Sequence, residues 1–502
     1  MYQAARNVPR LKYFGVKSLA INNSAIQNIT SYIAAEKINK ALRKIQWSVL
    51  KIISDDHYTA AIYDSPELDL LCEKIGKYVA KKIQDSDSPS HNKTTQHSVV
   101  IVCSRLQVSG GHTRVIEDFI RHLPNNDLLV LVTEVPARSD REHAGRRLTE
   151  LGAMVEWCGR GNLEKRLYWL DRRLLSANPK DIFLFNHHED SVAVAAMQVA
   201  KQAKVHFYHH GDHHLSLGVH LTGAEHIDIH AFGYENCRNK LGIVRNTYFP
   251  LVTEDRGARP DSIGFLAGDH LVTCTAAGKN KVEIKHADIS YIDFIPKLLS
   301  SSKGRHIHIG KLSWFARCRI RRSIQRLGLK QSAFVYIPWV QSVWDTLHEQ
   351  KVDIYISSFP ITGGRTLIEA MGSGTPVVLY NNPKSRLLSG IDLVYPAAFI
   401  WSTESNLLDY LQSLTAVKLL TESKLARGHF LRHYRDELLE EALTPQAYHA
   451  PPPLNPFKTS IPELPDSSLF LNKNAHRRTS FRASIYFRLK YLRSIILNNF
   501  MS

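Results

Sequence analysis

The run Ser357-Ser358-Phe359-Pro360-Ile361-Thr362-Gly363-Gly364-Arg365-Thr366-Leu367-Ile368-Glu369 lies between two apolar runs, Ile354–Ile356 and Pro376–Tyr380. Gly363 and Gly364 remove side chains where a backbone must approach a ligand, and a helix beginning at Arg365-Thr366 turns its free N–H groups to the loop. Such a terminus stabilises an anion by about 0.3–1 kcal/mol when exposed and up to about 2 kcal/mol when partly buried. Arg365 can add a charge-assisted contact to a phosphate. Glu369, one turn further on, can accept both hydroxyls of a ribose. The chemistry this spacing suits is a grip on a nucleotide diphosphate; the plainer alternative is a helix whose glycines ease packing and whose glutamate is solvated.

Two further constellations could react. Ser109-Gly110-Gly111-His112-Thr113-Arg114 follows an apolar run ending at Cys103 and precedes a helical pattern. It is not the GxGxxG dinucleotide fingerprint, and His112 could take the proton of a hydroxyl as general base or could simply cap the helix. His209-His210-Gly211-Asp212-His213-His214-Leu215-Ser216-Leu217-Gly218 follows another apolar run. Adjacent histidines in an unwound loop cannot all face one ion, so no metal is expected there; Asp212 and His213 are candidate catalytic residues, with a structural role the plainer alternative. Asn186-His187-His188-Glu189-Asp190 ends the preceding run, which places His188 in the same cleft. A literal DxD, Asp85-Ser86-Asp87, has Ser, Pro, His and Asn around it and no adjoining strand, and it reads as linker composition.

These segments need elements to hold them. Helical periodicity runs to about residue 83 and a polar linker follows; then short apolar runs alternate with amphipathic segments. Val99–Cys103, Leu128–Val132, Ile182–Phe185 and Val205–Tyr208 are the expected strands of a first set. Leu271–Thr275, His306–Ile309, Phe334–Ile337, Asp353–Ile356 and Pro376–Tyr380 are those of a second. This alternation predicts an α/β fold: two Rossmann-like domains facing each other across a cleft, with ligands at the carboxyl ends of the strands. The expected division is a helical extension and linker at 1–95, a first Rossmann-like domain at 96–255, a second at 256–444, and a proline-rich tether with a basic amphipathic tail at 445–502. In that tail Arg477, Arg478, Arg482, Arg488, Lys490 and Arg493 accompany an apolar stripe, which suits an anionic membrane surface.

At 502 residues, with 44% hydrophobic and 22% charged residues, the composition is that of an ordinary globular protein. A net charge of +17 favours an anionic partner without choosing among a nucleotide diphosphate, a membrane and a nucleic acid. No recognised nucleic-acid module accompanies the charge, so nucleic acid is not expected. The cysteines, Cys72, Cys103, Cys158, Cys237, Cys274 and Cys318, show no CxxC spacing and read as small core residues of a reducing compartment. The first thirty residues carry no long apolar stretch. A cytoplasmic protein, peripheral at the inner face of a membrane through residues 475–502, is the expectation.

The longer pattern Ser-Phe-Pro-x-Thr-Gly-Gly-x-Thr-x-x-Glu-Ala, followed by Gly-x-Pro-Val-Val, resembles the donor segment of GT-B glycosyltransferases, especially the branch with the O-GlcNAc transferases and related bacterial enzymes. The resemblance is specific over residues 353–380. It implies that Gly363, Gly364, Arg365 and Thr366 hold the diphosphate of a donor and Glu369 its ribose. It also implies a basic residue after the first strand of the second set, for which Lys281 is the first choice and Lys279 the second, and base recognition at Tyr336-Ile337-Pro338-Trp339. Gly110, Gly111 and His112 match the glycine loop such enzymes turn toward donor or acceptor. The histidine run resembles the His-Ala-Asp-His-x-Phe-Trp-Leu-Gly motif of bacterial transferases that carry a Gly-Gly-His-Thr-Arg loop. Many retaining members have a second glutamate eight positions before the ribose-binding one; here that position is Ile361, which points to inversion. The function implied is transfer of a hexosyl or N-acetylhexosaminyl group from a nucleotide diphosphate sugar, with UDP the expected nucleotide, to a hydroxyl acceptor. A glycan, lipid-linked or protein acceptor is expected, in bacterial surface polysaccharide or lipopolysaccharide synthesis, without a metal or other cofactor. A nucleotide-sugar epimerase, a protein glycosyltransferase and a non-catalytic binding protein are the rival readings.

Overall fold

The computed structural model describes residues 23–54, 60–86, 97–108, 110–123, 127–268, 270–284, 289–444 and 450–458. The strands of the first set are β1 (Val99–Cys103), β2 (Leu128–Val132), β3 (Met154–Trp157), β4 (Asp181–Phe185), β5 (Lys204–Tyr208), β6 (Glu225–Asp228) and β7 (Asn246–Tyr248). They form one parallel sheet in the order β3-β2-β1-β4-β5-β6-β7. The second set is β8 (Val272–Ala276), β9 (Arg305–Ile309), β10 (Phe334–Ile337), β11 (Ile354–Ile356), β12 (Val377–Tyr380) and β13 (Phe399–Trp401). It forms a second parallel sheet, ordered β10-β9-β8-β11-β12-β13. In each sheet the strand order reverses direction beside the first strand, which opens a crevice at the carboxyl ends.

Both sheets are covered on both faces, and this is why their central strands are nearly continuous apolar runs. Along β1, Val99, Ile101 and Cys103 enter one hydrophobic cluster, and Val100 and Val102 enter another on the opposite face. The first of these clusters also contains Phe249, Leu251 and Val252 of the connection and Tyr355, Leu367 and Met371 of the second domain, so one core continues from domain to domain. The helix Glu437–Leu443, late in the chain, returns to pack on the helix Gly111–His122 of the first domain.

The helices before residue 87 belong to the first domain's covering layer. Within Ile38–Ile53 the buried residues Ile38, Ala41, Leu42, Ile45 and Val49 follow helical spacing. Together with Leu71, Ile75 and Val79 of the helix Pro66–Ser86 they share a core with Val100, Val102, Ile182 and Leu184 of the sheet. At Gly76 a Cβ would lie 2.0 Å from the carbonyl oxygen of Ala195, so only glycine lets this helix approach the helix Ser191–Ala196. Polar groups carry the contact further. The Asp69 carboxylate accepts the N–H groups of Gly218 (2.7 Å) and His220 (2.9 Å), and Glu73 accepts that of Thr222 (2.8 Å). These helices therefore hold the loop that follows the histidine run.

Of the proline-rich segment, residues 450–458 have neither helix nor strand and are pinned to the second domain. Arg386, paired with Asp392, donates to the carbonyls of Asn455 (2.8 Å) and Phe457, and the Asn455 N–H donates to Asp392 (3.0 Å). The basic tail at 475–502 and Asp87 of the DxD lie outside the described residues. No described helix is long and apolar enough to cross a membrane.

Candidate active site

Several helices here begin on a side chain that caps them: Asn162, Asp190, Ser313, Ser342 and Thr415 each accept a backbone N–H of the first turn. Three helices begin on a glycine with no side-chain cap: Gly111–His122 after Gly110, Gly364–Gly372 after Gly363, and the single turn Lys279–Val282 after Gly278. Their first N–H groups are thereby left to another partner. A Cβ at Gly111 would meet nothing within 4 Å, so open space lies over that loop. A Cβ at Gly363 would lie 2.7 Å from Thr366 Oγ1 and 3.7 Å from Lys281 Nζ.

Lys281 is the outstanding cation of this loop. Its ammonium donates to the carbonyl of Thr362, and among the described residues no carboxylate pairs with it. Burial draws its pKa down to about 8, so at neutral pH it is charged and partly desolvated without a counter-ion. Thr366, in contrast, is engaged within the protein: its hydroxyl donates to Gly363 O (2.9 Å) and accepts from Tyr355 (2.9 Å), which ties the loop to β11.

Arg365 departs from its expected place on a phosphate. Its guanidinium reaches the first domain, where it pairs with Asp118 of the helix Gly111–His122 and donates to Val252 O (3.2 Å) and Thr253 Oγ1 (3.4 Å). A planar donor fork is better satisfied by a buried carboxylate and two connection oxygens than by an open cleft. Arg365 thus joins the domains. Its Nε lies 3.5 Å from Glu369 Oε1, and burial raises the Glu369 carboxyl against the pull of Arg365 and Arg114. No described residue makes a hydrogen bond to Glu369 Oε2.

On the facing side, His112 is 7% exposed and its Nε2–H donates to Phe185 O (3.1 Å). That bond leaves the lone pair on Nδ1, which is buried and has no partner among the described residues. Burial lowers its pKa to about 4, so the ring is neutral at physiological pH. The rings of His187 and His210 lie 4.9 and 4.8 Å from it.

Asp212 is buried, and its partner is a residue sequence reasoning missed, His230, whose Nδ1 meets Asp212 Oδ2. His213 Nδ1 stands 3.6 Å from the other oxygen. Burial pushes the Asp212 carboxyl up, but His230 and His213 outweigh it and hold the group well below the usual carboxylate range. Burial likewise opposes the charge of His230, and Asp212 more than restores it. The Nε2 of His230 is 3.7 Å from where a Cβ on Gly364 would be, so this pair meets the glycine loop across the cleft.

The remaining residues divide. His188 is a packing residue: a Cβ on Gly211 would lie 2.6 Å from its ring, and the rings of His213, edge-on, and His214, tilted, lie 5.3 and 5.6 Å from it. Asp190 caps its own helix through the N–H groups of Val192 and Ala193. Tyr336 stacks on His308, takes the Leu312 N–H (3.4 Å) and carries Arg317 over its ring. Trp339 is 47% exposed, and Trp314 and Phe315, after the neighbouring β9, are more exposed still. These two aromatics were not singled out from the sequence.

No protein-family model and no curated protein matches the sequence. Solved structures do match. HepE from Anabaena, determined in complex with UDP-glucose, is 13% identical with a TM-score of 0.52, and the match covers 69% of this chain and 98% of that one. A glycosyltransferase from Rickettsia africae is 11% identical with a TM-score of 0.50, covering 69% of this chain and 96% of its own. The similarity is one of fold, and it agrees with two parallel sheets on either side of a cleft: this chain has the GT-B fold.

Proposed function

We propose that the chain transfers a sugar from a nucleotide diphosphate sugar, with UDP the expected nucleotide, to a hydroxyl acceptor. The observation that carries this reading is the Lys281 ammonium, without an acidic partner among the described residues, beside the uncapped helix at Gly363-Gly364. An anion is what such a place stabilises. HepE, of the same fold, was determined with UDP-glucose, which supports the choice of nucleotide.

In this reading Lys281 and the free N–H groups of Gly364 and Arg365 meet the leaving diphosphate as its charge develops, and His230, oriented by Asp212, faces them from the other domain. Glu369 Oε2 takes the ribose, and Tyr336 with Trp339 flanks the base. His112, neutral with its lone pair on Nδ1, takes the acceptor proton. Asp212, already paired with His230, acts as a positioning residue. Ile361, where many retaining enzymes have glutamate, supports inversion by single displacement. Neutralisation by Lys281, the helix and His230 needs no divalent cation at the diphosphate. A bacterial surface glycan acceptor at the cytoplasmic face of a membrane remains part of this proposal, as does the hexosyl or N-acetylhexosaminyl nature of the sugar.

Calorimetric titration of UDP into the full chain tests the donor site. Removing a charge-assisted contact worth about 1.5–3 kcal/mol predicts that Lys281→Ala weakens UDP by about 10- to 100-fold. Glu369→Ala should weaken UDP more than it weakens pyrophosphate, which has no ribose. Full UDP affinity in Lys281→Ala would remove the diphosphate assignment.

A further inference from the structure

We propose that the chain binds a structural zinc ion through His209, His226, Asp228 and Cys237, in a buried site behind the cleft. The four residues come from three neighbouring elements: His209 follows β5, His226 and Asp228 lie on β6, and Cys237 lies on the helix Ala231–Asn239. None is more than 4% exposed. His209 Nδ1 is 3.3 Å and His226 Nε2 is 3.2 Å from the same oxygen, Asp228 Oδ1, and Cys237 Sγ is 3.4 Å from His209 Nδ1. The four donor atoms all lie within 4.8 Å of one another. Tetrahedral zinc, with bonds of about 2.0–2.3 Å, has donor-to-donor edges of about 3.3–3.8 Å. The donors are therefore spaced as a single ion requires, with a small closure for the wider pairs.

The chemistry of the set selects the class of ion. Thiolate and imidazole together disfavour calcium and magnesium, and four protein donors leave no open position, as in structural sites. Asp228 is supported from outside: its Oδ2 accepts from Asn246 Nδ2 (2.6 Å), and Asn246 Oδ1 accepts from Arg238 (3.1 Å). Such outer contacts orient a ligating carboxylate. No lysine or arginine among the described residues pairs with Asp228, so hydrogen bonding alone would gather two imidazoles and a thiol around one buried carboxylate. The remote nitrogens of both rings lack partners among the described residues in either case and do not discriminate. An ion here would tie the start of the histidine loop to the helix that begins after His230, and so would fix the Asp212–His230 pair without joining in the reaction.

The test uses the full chain, purified without chelator and without a histidine tag. Elemental analysis is expected to find about one zinc per chain. Exchange for cobalt should give visible bands and a thiolate-to-cobalt charge-transfer band. Cys237→Ser should abolish that last band, and Asp228→Asn should weaken zinc by about tenfold or more. Folded protein that takes up neither zinc nor cobalt would overturn the proposal, and so would cobalt bound without the thiolate band or with a band that Cys237→Ser leaves intact. Should Cys237→Ser fail to fold, the cobalt spectrum of the unaltered chain decides alone.

Discussion

The histidines of this cleft differ in what their neighbours leave them. Phe185 O accepts the Nε2–H of His112, so a lone pair remains at Nδ1, whereas Asp212 raises the pKa of His230 against its burial. If His112 is the base, His112→Ala should lower turnover by about 10²- to 10⁴-fold while UDP binds as before; a loss of UDP affinity instead would place the ring in the donor site. Lys281 sets a pH dependence. Its pKa, lowered to about 8, means that the ammonium is present below that pH and lost as pH rises through it, so UDP affinity should fall above about pH 8 and Lys281→Ala should show no such fall. A flat profile in the unaltered chain would contradict the assignment. At this scale the residues themselves showed Gly363-Gly364 and Gly110-Gly111 as the glycine starts of two helices that follow strands, whereas Lys281 was singled out only through the resemblance. The place of Arg365 was not legible, because its partner Asp118 is 247 positions away and the pairing exists only once the domains meet. His230 was missed for a related reason, since it lies 18 positions from Asp212 and follows a strand too polar to be seen.

The central strands declared themselves as apolar runs because both of their faces are buried. Those that did not are β3, β7 and β13 at sheet edges, and β6, whose Glu225-His226-Ile227-Asp228 alternates because His226 and Asp228 turn into a buried polar cluster. The helices before residue 87 were legible as helices but not as a wall of the first domain, since their apolar stripe says only that something covers it. Ile75 is fully buried between helix and sheet, and Ile75→Ala should cost about 2–5 kcal/mol in denaturant unfolding; a change under about 0.5 kcal/mol would show that this layer is dispensable. Asp69→Ala leaves the Gly218 and His220 N–H groups unpaired, at about 1–3 kcal/mol, and should loosen the loop after the histidine run. Hydrogen exchange at Gly218 and His220 checks that directly: unchanged protection would contradict it.

At the scale of the molecule, the two domains share one hydrophobic cluster, the helix Glu437–Leu443 crosses back to the first domain, and Arg365 bridges to Asp118. The cleft is thus held at a defined width. A double-mutant cycle on Arg365→Ala and Asp118→Ala should return a coupling of about 1–3 kcal/mol, and a value near zero would mean that the bridge does not join the domains. The GT-B fold was legible from the strand and helix alternation together with the donor-like segment, whereas the pinning of residues 450–458 was not, because Arg386 and Asp392 gave no local sign of it. The central claim is sugar transfer in this cleft. The measurement that tests it most directly is a screen of nucleotide sugars with an acceptor mixture, reading product mass and anomeric configuration. Acceptor-dependent release of UDP from one donor, an inverted glycosidic product, and loss of turnover in Lys281→Ala are expected; release of a second sugar nucleotide without acceptor, or no donor consumed by the folded chain, would contradict sugar transfer.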